Sequence, residues 1–144
     1  MIRGATAADL PAICRMASEF IHAHFDGMIE DNPDQVAKLA DQMMLGGDDR
    51  LLLLNDDGHG ANGMFAAFIF EHPISGKKTA SEVAWWVDPS ARGSIGIALL
   101  RRAEAWAKTT GAVRMQMVAP NERVGEFYRR VGYEKAETAW SRRL

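Results

Sequence analysis

The stretch Val87-Asp88-Pro89-Ser90-Ala91-Arg92-Gly93-Ser94-Ile95-Gly96 decides the fold. An apolar run ends at Val87, and Asp88-Pro89 stops it, because proline cannot donate to a strand ladder. Beyond the turn, Ile95, Leu99, Ala103 and Trp106 fall on one face of a helix that ends near Gly111. The stretch therefore reads as strand, tight turn, helix. Small residues at a helix start let backbone N–H groups converge on an anion, at the favourable end of the helix dipole. Arg92, Gly93, Ser94, Ile95 and Gly96 are thus a candidate phosphate cradle, with a packing or turn role for the glycines as the plainer alternative. No Gly-Lys-Ser/Thr follows, which argues against a P-loop nucleotide site.

Downstream, Val113 to Val118 reads as a strand with Met115 and Met117 on one side and Arg114 and Gln116 on the other. Asn121 caps a final helix carrying Val124, Phe127, Tyr128 and Val131, and Gly132 suits the left-handed residue after it. Tyr133 to Leu144 is expected to form one or two terminal strands. Upstream, Ser81 to Val87 is a strand, and Leu51–Leu54 with Met64–Phe70 makes an antiparallel hairpin around the turn signals Asp56-Asp57-Gly58 and Ala61-Asn62-Gly63. Ile2-Arg3 is a short first strand. Thr6 with Asp9 opens a helix from about Ala7 to about Phe20, and Asp31-Asn32-Pro33 opens a second that stops at Gly46-Gly47. The expected order is β-α-α-β-β-β-α-β-α-β.

A chain of 144 residues, 47% of them hydrophobic, is long enough for one ordinary core, so residues 1–144 are expected to form a single domain. No apolar run approaches the roughly 20 residues of a membrane span, and Met1-Ile2-Arg3-Gly4 lacks a signal-peptide pattern, which points to a cytoplasmic protein with no membrane partner. Cys14 is the only cysteine, and its spacing with Leu10, Ile13, Ala17 and Phe20 makes it a packing residue rather than a nucleophile. His22 and His24 are spaced wrongly for one helical face, so no metal site is expected. The net charge of −2 hides a division: residues 1–91 carry 6 Lys/Arg against 14 Asp/Glu, and residues 92–144 carry 11 against 5. The basic part begins at the cradle, as a polyanionic ligand would require. Uneven surface charge without a ligand is the other reading. The acidic whole and the lack of an aromatic-interleaved basic stretch argue against a nucleic-acid partner.

The cradle, together with Asn121, Phe127-Tyr128 and Gly132-Tyr133 in order and spacing, resembles the two cofactor motifs of the GNAT (GCN5-related N-acetyltransferase) superfamily. The resemblance covers about residues 82–133; residues 1–80 match in element order only. The cradle departs from the family's Arg/Gln-x-x-Gly-x-Gly/Ala pattern. Counting back from Leu99-Leu100 puts Gly96 and Ser94 at the two glycine positions and Ala91 at the Arg/Gln position, whereas counting from Arg92-Gly93 implies a one-residue deletion. The fold implied is a single mixed α/β domain with a central, mostly antiparallel twisted sheet and a splayed parallel pair.

The activity implied is transfer of the acetyl group of acetyl-CoA to a primary amine, by direct attack in a ternary complex without a metal. In that reading Tyr128 protonates the departing sulfur, and backbone N–H groups of the Trp85–Val87 segment hold the thioester carbonyl. Asn121 helps hold the coenzyme, and Glu82 is a candidate base. His24, Trp86 and Gln116 are candidate acceptor contacts, and the acidic residues Glu30, Asp31 and Asp34 could draw in an ammonium group. A protein N-terminus, a lysine, a polyamine, an aminoglycoside or another small amine all remain open as acceptor, and a strand after Tyr133 could support a homodimer. The alternative is a non-catalytic acyl-CoA-binding or protein-interaction module with an altered cofactor loop.

Overall fold

The computed structural model describes residues 1–144. The elements run β1 (Ile2–Gly4), a 3-10 turn Ala7–Asp9, α1 (Leu10–His24), α2 (Pro33–Leu45), β2 (Arg50–Asp56) and β3 (Ala61–Glu71). They continue through β4 (Lys78–Val87), a 3-10 turn Pro89–Ala91, α3 (Ser94–Thr109), β5 (Arg114–Gln116) and α4 (Glu122–Arg130). The sheet follows chain order, β1 to β5, antiparallel except for the parallel pair β4–β5. This is the mixed α/β architecture read from the sequence, with α1 longer than expected and His24 as its last residue.

Two layers of helix cover the two faces of the sheet, and strand alternation divides the core between them. Met64 and Ala66 of β3 face α1 and α2, joined by Leu52, Leu54 and Trp86. Phe65 and Ala67, one step along, face α3 with Leu53, Leu99, Leu100 and Ala103. Burial on both faces explains why β2 and β3 read as near-continuous apolar runs. Phe65, Leu54 and Leu99 are fully buried, each worth roughly 1.5–3 kcal/mol against exposure. α3 packs closely because Gly63 of β3 has no side chain; a Cβ there would meet Leu99 at 3.3 Å.

The helix ends follow the sequence signals. The Thr6 N–H and hydroxyl both donate to the Asp9 carboxylate, at 2.8 and 2.9 Å. Asn32 caps α2 through the Gln35 N–H and Asn121 caps α4 through the Val124 N–H. Gly132 takes φ 97° after α4, the left-handed residue expected there.

The expected terminal strands are corrected: Tyr133 to Leu144 contains no strand. β5 has only three residues, so its outer edge offers little ladder to a further strand. Beyond Tyr133 the chain is polar and exposed, with Trp140 at 91%. β5 is also shorter than the expected Val113–Val118, for a reason that bears on function.

Candidate functional site

β4 and β5 pair only at Thr79 with Arg114, Ala80 with Met115 and Ser81 with Gln116. From Glu82 to Val87, β4 keeps β3 on one edge and has no strand on the other. The backbone groups on that edge have no ladder partner. Glu82 stands at the point of parting, beside a bulge: Ala66 pairs with Ala84 and Ala67 with Glu82, which leaves Val83 as the extra residue. A bulge turns side chains out of strict alternation and bends the strand. Here it does so next to the one acidic residue on β4.

The Glu82 Oε2 accepts the Val118 N–H at 3.0 Å. A carboxylate has thus taken the place of the next rung of the ladder, which is why β5 ends at Gln116. The Val118 carbonyl accepts the Tyr128 hydroxyl at 3.1 Å. Burial pushes the Glu82 carboxyl up to about 7, opposed by the Val118 N–H, so it exchanges a proton near neutrality. Tyr128 is 6% exposed, and burial, reinforced by the negative charges available to Glu82 and Tyr133, pushes its hydroxyl well above the usual range. It is therefore held protonated. Its ring stacks on Trp85 at 6.1 Å and 24°.

The start of α3 stands against the Trp85–Val87 end of β4. Gly93 precedes it at φ 129°, ψ −123°, a backbone shape that side-chain-bearing residues avoid, and no side chain caps the helix. The N–H groups of Ser94, Ile95 and Gly96 have no intrahelical partner. Gly96 serves a second purpose, since a Cβ there would lie 3.4 Å from Trp85 and 3.7 Å from Val87. Arg92 does not reach across these amides. Its Nε donates to the Val87 carbonyl at 3.2 Å and its guanidinium lies 5.3 Å over the Trp86 ring, on the α1 face of the sheet. The cradle is thus one of backbone donors, an arrangement that fits a phosphate-bearing ligand without this side chain. A further donor lies beneath it, for the indole N–H of Trp85 is buried without a partner.

On the α1 face, His24 packs edge-on against Phe20, Phe25 and Trp86. Burial first, and the Arg92 charge second, lower its pKa, so the imidazole is neutral at pH 7. Trp86 is 6% exposed and its N–H donates to Asp88 at 2.9 Å, which leaves it neither free surface nor a free polar atom for an acceptor. Trp86, expected as an acceptor contact, packs in the core on this face. Gln116 is exposed at the end of β5, opposite Ser81. Glu30, Asp31 and Asp34 are exposed, and Asp31 lies 3.5 Å from His22. Cys14 is half-buried, with its thiol pushed up by burial, as suits a packing residue. No group of three His, Cys, Asp or Glu side chains is placed to hold a metal ion.

Two relationships have no signature in the sequence. Val118 acts through its backbone, so its side-chain type carries no signal. Arg15 of α1 grips Asp88 with both guanidinium nitrogens, at 3.0 and 2.9 Å, tying α1 to the end of β4. The fork geometry fixes direction as well as charge.

The acetyltransferase (GNAT) family model matches residues 16–133. No curated protein sequence matches the chain. Similar solved structures include a transcriptional regulator from Bacillus halodurans C-125, 18% identical with a TM-score of 0.82 over 100% of this chain and 99% of that one. The aminoglycoside antibiotic 6'-N-acetyltransferase AAC(6')-IG from Acinetobacter haemolyticus is 20% identical, with a TM-score of 0.77 and coverage of 100% and 99%. Aminoglycoside N-acetyltransferase AAC(6')-Iy in complex with CoA is 16% identical, with a TM-score of 0.79 and coverage of 100% and 93%. At these identities the likeness is one of fold.

Proposed function

Because the chain belongs to the acetyltransferase (GNAT) family, we propose that it is an N-acetyltransferase, moving the acetyl group of acetyl-CoA to a primary amine by direct attack. The observation that carries this reading is the meeting of Glu82 and Tyr128 on Val118 where β4 and β5 part. A proton acceptor and a proton donor are then both at that point, which is what the transfer requires: an N–C bond forms, a C–S bond breaks, the amine loses a proton and the sulfur gains one.

Acetyl-CoA supplies an activated acyl group and a thiol leaving group. Glu82 takes the amine's proton, directly or through water, since its affinity for a proton near pH 7 lets it accept one and release it to solvent. Tyr128 donates to the sulfur, because its hydroxyl is protonated throughout the neutral range. The unpaired edge of β4 from Trp85 to Val87 offers N–H groups to the thioester carbonyl and to the amide-bearing arm of the coenzyme. Gly93, Ser94, Ile95 and Gly96 present backbone amides to the phosphates, with Asn121 at the head of α4. His24 and Gln116 contribute to the acceptor side.

A non-catalytic coenzyme-binding module is the second reading, favoured by the burial of Tyr128, whose hydroxyl already donates to the Val118 carbonyl. Turnover separates the two. Purified protein, acetyl-CoA and a panel of amines are assayed for thiol release and for the N-acetylated product, with Glu82→Gln as control. Amine-dependent release that falls in the variant supports the enzyme; coenzyme binding without release with any amine supports the module.

A further inference from the structure

We propose that the indole N–H of Trp85 is a hydrogen-bond donor to the coenzyme, reaching an oxygen acceptor laid across the first turn of α3. The inference rests on the acetyl-CoA reading and adds a side-chain contact to the backbone role of the same strand. Among the four tryptophans, Trp86 donates its N–H to Asp88 and Trp106 donates to the Asp48 carbonyl at 3.1 Å. Trp140 is 91% exposed to water. Only Trp85 has an indole N–H that is buried and unpaired. Buried donors are nearly always satisfied, and an orphan marks a place where a partner is missing.

Position says which partner. An added Cβ at Gly96 would lie 3.4 Å from Cζ2 and 3.9 Å from Cε2 of Trp85, and Cε2 is the carbon bonded to the indole nitrogen. The N–H therefore lies beside the turn whose own amides are open. A side chain at Gly96 would press on this edge of the ring. Stacking on Tyr128, with Phe65 at 6.1 Å and Phe127 at 5.9 Å, fixes the ring, so the donor cannot swing elsewhere for a partner. An indole N–H donates and never accepts, which selects an amide carbonyl or a phosphate oxygen. The coenzyme carries both, in its pantetheine arm and its pyrophosphate.

The test uses the full chain labelled with nitrogen-15, titrated separately with CoA, pantetheine and ADP while backbone amide and indole resonances are followed. With CoA, the Trp85 indole proton is expected to move downfield while those of Trp86 and Trp106 stay. A matching shift with pantetheine identifies the carbonyl as partner, and one with ADP the phosphate. Trp85→Phe, which keeps an aromatic ring but no donor, is expected to bind CoA about five- to tenfold more weakly. Should that variant fail to fold, the wild-type spectra decide alone. Shifts of the Gly93–Ile97 amides with an unmoved Trp85 indole overturn the inference and leave the coenzyme reading standing. If neither moves at saturating CoA, both fall.

Discussion

Glu82 and Tyr128 are joined through a single residue: one accepts the Val118 N–H at 3.0 Å and the other donates to the Val118 carbonyl at 3.1 Å. The proposed base, the proposed acid and the end of β5 are therefore set by one segment of backbone. Moving it by an ångström would move both groups.

Tyr128→Phe removes the hydroxyl and keeps the stack on Trp85. Turnover is expected to fall by about two orders of magnitude or more, the range of a lost general acid. Coenzyme affinity by calorimetry should stay within a few-fold of wild type. The lost hydrogen bond costs about 1 kcal/mol of stability by denaturant titration. Unchanged turnover would remove Tyr128 from the chemistry.

The Glu82 carboxyl should appear in two pH profiles. In kcat/KM it gives a limb rising through about pH 7, absent in Glu82→Gln. In stability the sign is opposite. A folded pKa of about 7, above the 4.5 of a free glutamate, means the protein holds that proton more tightly than the unfolded chain. Its favourable contribution is complete below pH 4.5 and lost as pH rises through 7, a change on the order of 1–3 kcal/mol. Thermal melts between pH 5 and 8 should show wild type losing this much relative to Glu82→Gln.

Gly93→Ala tests the cradle. Nothing lies within 4 Å of a Cβ at that position, so its cost is conformational, from φ 129°, and comes to about 1–3 kcal/mol. Relief of that strain by backbone rotation would turn the first amides of α3. Coenzyme binding is expected to weaken more than stability alone explains, measured by calorimetry at a temperature where the variant is folded.

Arg92→Ala is expected to leave coenzyme affinity near wild type, because its guanidinium lies on Trp86. The His24 pKa should rise in that variant, since one of the two influences lowering it is gone. Proton NMR of the imidazole reads this. A large loss of affinity would return Arg92 to the cradle.

The strand-turn-helix at Val87–Gly96, the Asn121 cap and the left-handed Gly132 were legible in the sequence because each depends on neighbours a few residues away. The family's two motifs lie in that same local register. The terminal strands were misread since a strand needs an edge to join, and β5 supplies three residues. Arg92 lies where the charge pattern suggested, but its side chain bends back to Trp86, a choice made by a ring 6 residues earlier on another face. Glu82 was visible as an acidic residue on a strand; that it replaces a ladder rung at Val118 depends on a bulge and a long-range contact that no periodicity records.

The most direct measurement is amine-dependent thiol release from acetyl-CoA between pH 6 and 9, by wild type and Glu82→Gln, on a panel of primary amines. Acetyl transfer with Glu82 as base predicts release by wild type with at least one amine, rising through about pH 7, and a loss of that limb in the variant. A variant that matches wild type across the range, on an amine that wild type acetylates, would contradict it.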